Sequence, residues 1–165
     1  MLGSALFALH EALATFSDPL PRHDDELDQV SHILTDPRSS PALEDGDRAL
    51  LLAALDRFRA ELGSCEWDPR ALHGSPHDLN VLVVDGAPLF IDFETACKGP
   101  VEWDLAHVGP GTATAYPARF DPHLLGLCRA LTSVKTATWC WARVEHPDLR
   151  WHAKHHLDVV RELMA

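Results

Sequence analysis

Residues 72–80 read LHGSPHDLN, and a later apolar run ends in IDFE at 91–94. The first stretch crowds His73, Gly74, Ser75, His77, Asp78 and Asn80 into a segment of turn-forming residues. The second puts Asp92 twelve residues after Asn80. One carboxylate and one amide oxygen make a weak site of hard oxygen donors. Such a pair suits Mg²⁺, which takes few protein ligands and leaves its other positions to water and phosphate. It does not suit a tight zinc site. His73 and His77 stand four apart, but the turn between them is too irregular to align them as a helical metal pair.

Bringing Asn80 to Asp92 requires a particular local fold. NVLVVDGAPLFIDF holds two short apolar runs around Asp85-Gly86, which predicts a β-hairpin with the two oxygen-bearing side chains at its open end. The rest of the chain reads as helix. Leu2, Leu6, Leu9, Leu13 and Phe16 form one apolar stripe, ended by the prolines of SDPLPR. HDDELDQVSHIL predicts a second helix with acids in its first turn. Leu51, Leu55, Phe58 and Leu62 mark a third, with Gly63 placed to end it in the left-handed conformation. VEWDLAHV reads as helix and GPGTATAYP as loop. Leu127, Leu131, Val134, Thr138 and Trp141 mark the next helix, and a last one runs from near Pro147 to near Leu163. The expectation is a single α+β domain over residues 1–165, mostly helical, with a small hairpin carrying the metal-site residues.

The composition agrees with such a domain. Of 165 residues, 46 % are hydrophobic and 24 % charged, which is enough for a core and unlike a disordered chain. Acidic residues outnumber basic ones by 25 to 14, giving a formal charge of −11. That balance disfavours a nucleic-acid partner and is compatible with a cationic ligand. No apolar run reaches the ~18 residues of a membrane span. The four cysteines form no CxxC pair and no zinc spacing. Reduced thiols and a cytoplasmic location are expected.

HGSPHDLN resembles the catalytic loop of aminoglycoside phosphotransferases and related small-molecule kinases, whose pattern is H-G-D-x-H-x-x-N. IDFE resembles their metal-binding segment, and GPVEWDLAHV their G-x-x-x-x-D-L-A segment. Asn80, Asp92 and Asp104 follow one another at intervals of twelve, so three motifs match in order. Protein kinases carry a distant parallel in H-R-D-x-x-x-x-N followed by D-F-G. The resemblance implies the C-terminal lobe of a protein-kinase-like fold. It also implies transfer of a phosphoryl group from ATP, with Mg²⁺, to a hydroxyl of a small molecule. Asn80 and Asp92 would hold the metal, and His77 would touch the γ-phosphate. His73 would support the loop, and Asp104 would bond to its backbone.

Two departures from the pattern bear on turnover. The family's catalytic aspartate belongs at position 75, and Ser75 stands there. A hydroxyl can orient a substrate hydroxyl but is a poor base near neutral pH. General-base help is typically worth about 10²–10⁴ in rate. Asp78 is the alternative carboxylate, reaching the substrate through water. The second departure is that the chain opens where the family's C-terminal lobe opens, with no Gly-rich β-lobe before it. A surface left open in that way is expected to self-associate. Three readings stand: an active phosphotransferase, a catalytically impaired pseudokinase-like binding or regulatory module, and a fragment of a longer kinase. A metal-dependent hydrolase built on His73, His77, Asp78 and Asp92 matches no hydrolase motif. HAKHH at 152–156, Trp139 with Trp141, and the acids of HDDELD are read as helix faces rather than as sites.

Overall fold

A computed structural model describes residues 2–165. Among the described residues, seven α-helices and four short strands follow in the order α1 (Leu2–Leu13), α2 (Asp25–Thr35), α3 (Asp45–Gly63), β1 (Arg70–Leu72), β2 (Val81–Val84), β3 (Ala87–Phe90), β4 (Cys97–Gly99), α4 (Val101–Ala106), α5 (Pro110–Thr114), α6 (Pro122–Trp141) and α7 (Pro147–Met164). The protein is thus mostly helical with two small antiparallel sheets, β1 with β4 and β2 with β3. The contacts divide the chain into two units. One holds the residues up to His23 with Glu66–Gly126, and the other holds Asp24–Cys65 with Leu127–Ala165.

The first unit carries the sequence motifs. Its core gathers Leu6 of α1, Leu105 of α4, Val108, Ala113 of α5, Tyr116 and Leu125. Strand β1 pairs with β4 in the register Ala71 to Lys98, so the chain entering 73–80 is tied to the chain leaving the hairpin. The hairpin forms where the sequence places it. Asp85 and Gly86 both take positive φ, 52° and 78°, which is the two-residue turn that follows the twist of the strands. Val81 pairs with Phe90 and Val84 with Ala87.

The second unit is helical. α2 packs on α3, and α3 on α7. Arg48 is buried, and its guanidinium donates to Ser40 O at 2.8 Å and to Ser40 Oγ at 2.8 Å, pinning the connection between α2 and α3. The acids at the start of α2 are more than a solvated first turn. Glu26 pairs with Lys135 at 2.8 Å, and Asp28 with Arg59 at 2.6 Å.

Four readings change. Gly63 does not take positive φ; it is the last residue of α3, and Ser64, in the right-handed helical region, follows it. The N–H of Ser64 reaches back to Ala60 O and Glu61 O, so the helix closes without a left-handed residue. GPGTATAYP is not all loop, because α5 starts at Pro110, where a proline suits the first turn, and buries Ala113. α1 stops at Leu13 and leaves Phe16 exposed. Its buried residues are Gly3, Leu6 and His10, a line rotated from the leucine stripe. Strands β1 and β4, three residues each, carry no alternating pattern long enough to read from sequence.

Candidate active site

The segment from 73 to 80 leaves β1 and is shaped by one buried carboxylate. Asp104 Oδ2 accepts the N–H of His73 at 2.9 Å, and Oδ1 accepts the N–H of Gly74 at 2.8 Å. Oδ2 also accepts from His10 Nε2 at 2.9 Å. Asp104 and His73 are fully buried and His10 nearly so. A carboxylate offers acceptors only, so His10 donates from Nε2. Its Nδ1 lies 2.8 Å from Tyr116 Oη. Burial, together with the negative charges of Asp104, Glu11 and Glu102, pushes the Tyr116 phenol up to about 12 against the opposing pull of Arg70. The order Tyr116, His10, Asp104, loop backbone is one continuous buried chain of hydrogen bonds.

Gly74 is dictated by space and conformation. Its φ is +89°, and a Cβ there would run into Thr95 O. His73 crosses from the loop to the segment after the hairpin. Nε2 donates to Ile91 O at 2.9 Å, while Nδ1 accepts the N–H of Ser75 at 3.3 Å. Its ring also lies 4.4 Å from that of Phe93.

Asn80 ends a 3₁₀ turn over Asp78–Asn80. Its Nδ2 donates to Ser75 O at 2.9 Å and lies 3.4 Å from His77 Nε2. Both amide hydrogens face protein, so the amide oxygen is the end left for another partner. The N–H of Ile91 donates to Asn80 O at 3.0 Å, which carries the hairpin pairing one step further and sets Asp92 beside Asn80 in the chain's path. Asp92 has φ 64°. Left-handed backbone on a non-glycine residue is uncommon, although Asp tolerates it better than most.

These residues meet in a cleft of about 270 Å³ lined by Ser75, His77, Leu79, Asn80, Asp92, Glu94 and Thr95. Of the residues singled out from sequence, Ser75, His77, Asn80 and Asp92 are therefore brought together. His73 and Asp104 lie buried behind them. Asp78 is exposed and does not line the cleft. The Asn80 and Asp92 oxygens suit a hard divalent cation, and no imidazole or thiolate pair competes for a softer one. Among the described residues no group of three or more His, Cys, Asp or Glu side chains could hold a metal by itself. A cation here would need oxygens from a ligand as well.

Sequence reasoning gave no role to His10, Tyr116, Glu94 or Thr95. His10 carried a usable signal, a histidine inside the apolar pattern of α1. Tyr116 carried none, because its partner lies 106 positions away.

A family model described as the phosphotransferase enzyme family matches residues 1–146. The chain belongs to this family. Solved structures agree in fold. A choline/ethanolamine kinase family protein from Mesorhizobium loti superposes with a TM-score of 0.73 at 17 % identity, covering 99 % of this chain and 60 % of that one. The GDP complex of aminoglycoside 2'-phosphotransferase-IIIa gives 0.67 at 15 % identity, over 99 % of this chain and 63 % of that one. The AMP-bound complex of a spectinomycin phosphotransferase gives 0.67 at 13 % identity, over 96 % and 65 %. This phosphotransferase-family chain thus spans less than two thirds of each of these structures. A search of curated proteins found no match.

Proposed function

We propose that this chain carries the acceptor and metal side of a phosphoryl-transfer site that moves the γ-phosphoryl group of ATP to a hydroxyl of a small molecule. The observation that carries this reading is the cleft in which the oriented amide of Asn80 and the carboxylate of Asp92 converge. Asn80 and Asp92 would hold Mg²⁺, whose chemistry when bound is to neutralise phosphate charge. Phosphoryl transfer needs positioning and charge complementarity more than a strong nucleophile. The rigid loop supplies the positioning, because Asp104 and His73 fix its backbone. His77 lines the cleft and would donate to a phosphate oxygen. Ser75 would orient the acceptor hydroxyl without removing its proton. Asp78 would act only through water. The structures of nucleotide-bound phosphotransferases that share this fold support nucleotide as the donor.

One observation favours the catalytically impaired, pseudokinase-like reading instead. The position next to Gly74 offers a hydroxyl where the family pattern has a carboxylate. Two experiments separate the readings. Thermal shift with Mg·ATP tests binding, with Asn80→Ala and Asp92→Asn as variants expected to abolish the shift. Transfer of labelled γ-phosphate across a panel of amino alcohols, sugars and aminoglycosides then tests turnover. Ser75→Asp is expected to raise transfer by about 10²–10⁴. Binding without transfer in both the wild-type protein and the Ser75→Asp variant rejects the enzyme reading. No binding at all rejects both. The apolar side chains of the hairpin, Leu82, Val83, Val84 and Leu89, are exposed together with Leu79, which supports self-association through this surface.

A further inference from the structure

Tyr116 stands where packing alone asks for a phenylalanine. Its ring lies in the core of the first unit with Leu6, Leu105, Val108, Ala113 and Leu125, and Phe7 meets it edge-on with centroids 5.6 Å apart. A hydroxyl buried in such a place costs free energy unless it is bonded. Its bond is to His10 Nδ1 at 2.8 Å, and among the described residues the hydroxyl has no other hydrogen-bond partner. The direction of that bond follows from the far side of the imidazole. The Asp104 carboxylate only accepts, so the ring hydrogen is on Nε2, and Nδ1 accepts from the phenol. Were Nδ1 to carry a hydrogen as well, the phenol hydrogen would face no acceptor among the described residues. Burial keeps that hydrogen on the phenol, pushing Tyr116 up to about 12.

The backbone holds the two partners at short range. A Cβ on Gly3 would lie 2.5 Å from Thr112 O and 2.7 Å from the carbonyl carbon of Ala115, so only glycine lets α1 come this close to residues 112–115. The position of Tyr116 therefore passes through His10 to Asp104, and from Asp104 to the N–H groups of His73 and Gly74. The next residue, Ser75, supplies the carbonyl that accepts from Asn80 Nδ2 at 2.9 Å. We propose that Tyr116 is a positioning residue for the cleft of Ser75, Asn80 and Asp92: it holds His10 Nε2 on Asp104, and the loop carries that constraint to the amide of Asn80. This rests on the phosphoryl-transfer reading for the identity of the ligand, and not for the geometry.

Tyr116→Phe removes the hydroxyl and keeps the ring, and Val108→Ala in the same core is the control for lost packing. In ¹⁵N NMR of the whole chain, His10, assigned by its loss in His10→Gln, should show Nδ1 as an acceptor nitrogen without a hydrogen. That signal should move towards the unbonded value in Tyr116→Phe. The side-chain NH₂ signals of Asn80, assigned by their loss in Asn80→Ala, should move in Tyr116→Phe and stay in Val108→Ala. Mg·ATP affinity by titration calorimetry should weaken about tenfold in Tyr116→Phe, the low end of what outer partners of a metal site cost, and stay within about twofold in Val108→Ala. Gly3→Ala, which parts α1 from residues 112–115 by size alone, should repeat the Tyr116→Phe pattern. A wild-type protein that binds no Mg·ATP rejects the phosphoryl-transfer reading, and the NMR signals still decide the role of Tyr116. Asn80 signals that ignore Tyr116→Phe, or that move as far in Val108→Ala, overturn the proposal. So does a hydrogen on Nδ1 of wild-type His10, or a Mg·ATP affinity that Tyr116→Phe leaves unchanged.

Discussion

Replacing Asp104 by Asn turns one acceptor oxygen into a donor inside a pocket that contains only donors. The three groups facing it are the N–H of His73, the N–H of Gly74 and Nε2 of His10, all within 2.9 Å. However the amide turns, at least one backbone N–H meets an NH₂ group. A buried donor left unsatisfied costs about 1–3 kcal/mol. The surviving bonds fall from the charge-assisted range of about 1.5–3 kcal/mol to the neutral range of about 0.5–1.5. Together the variant should lose about 3 kcal/mol, a large part of the roughly 5–15 kcal/mol that holds a domain folded. At about 2–4 °C per kcal/mol for a chain of this size, Tm should fall by roughly 6–12 °C. Urea unfolding followed by tryptophan fluorescence, with calorimetry, measures the loss. Hydrogen exchange should show the His73 and Gly74 amides losing protection first. Asp92→Asn is the control: it is exposed, and Asn tolerates the left-handed backbone, so stability should move by under about 0.5 kcal/mol. An Asp104→Asn protein within that same margin would show that the carboxylate does not hold the loop.

Acid should loosen α7. His156 lies 3.4 Å from Ser133 Oγ, and burial, followed by the charges of His155 and His152, holds its imidazole at about 4 against an ordinary 6.5. The unfolded chain binds the proton more readily, so stability is whole above pH 6.5 and falls as pH drops towards 4, by roughly 2 kcal/mol after allowing for partial exposure. His156→Leu should flatten that part of the stability curve, and an unchanged slope would count against the assignment. Val83, 76 % exposed on the hairpin, is the place to test self-association. Val83→Lys should lower the mass seen by light scattering at high concentration, and a wild-type protein that stays monomeric throughout removes the basis of that expectation.

Much of the fold and half of the site were legible because their determinants are local. Helix periodicity, proline stops and the Asp85-Gly86 turn act over a few residues. So does the spacing that lets one hairpin carry Asn80 to Asp92. Gly74 was legible as a motif, but its reason was not. The obstructing atom is Thr95 O, brought close by the pairing of β1 with β4. Gly63 misled because a glycine after an apolar stripe suits either a left-handed cap or a plain last helical residue. Only the backbone bonds of Ser64 decide between them.

The sequence by itself determined the family, the helical character of the chain and which oxygens could face a divalent cation. These follow from residue types at fixed intervals. Tertiary structure decided how the loop is held. His10 meets Asp104, and Tyr116 meets His10, only when α1, α4 and the segment after α5 pack around one core. Asp78, at the start of the 3₁₀ turn that ends in Asn80, is exposed and does not line the cleft. Glu102 is a first-turn acid of α4 in the sequence, and its burial and its bond to the Asp121 N–H at 2.8 Å appear only once the chain is folded. A buried charge is made by neighbours far along the chain, and no local spacing records them.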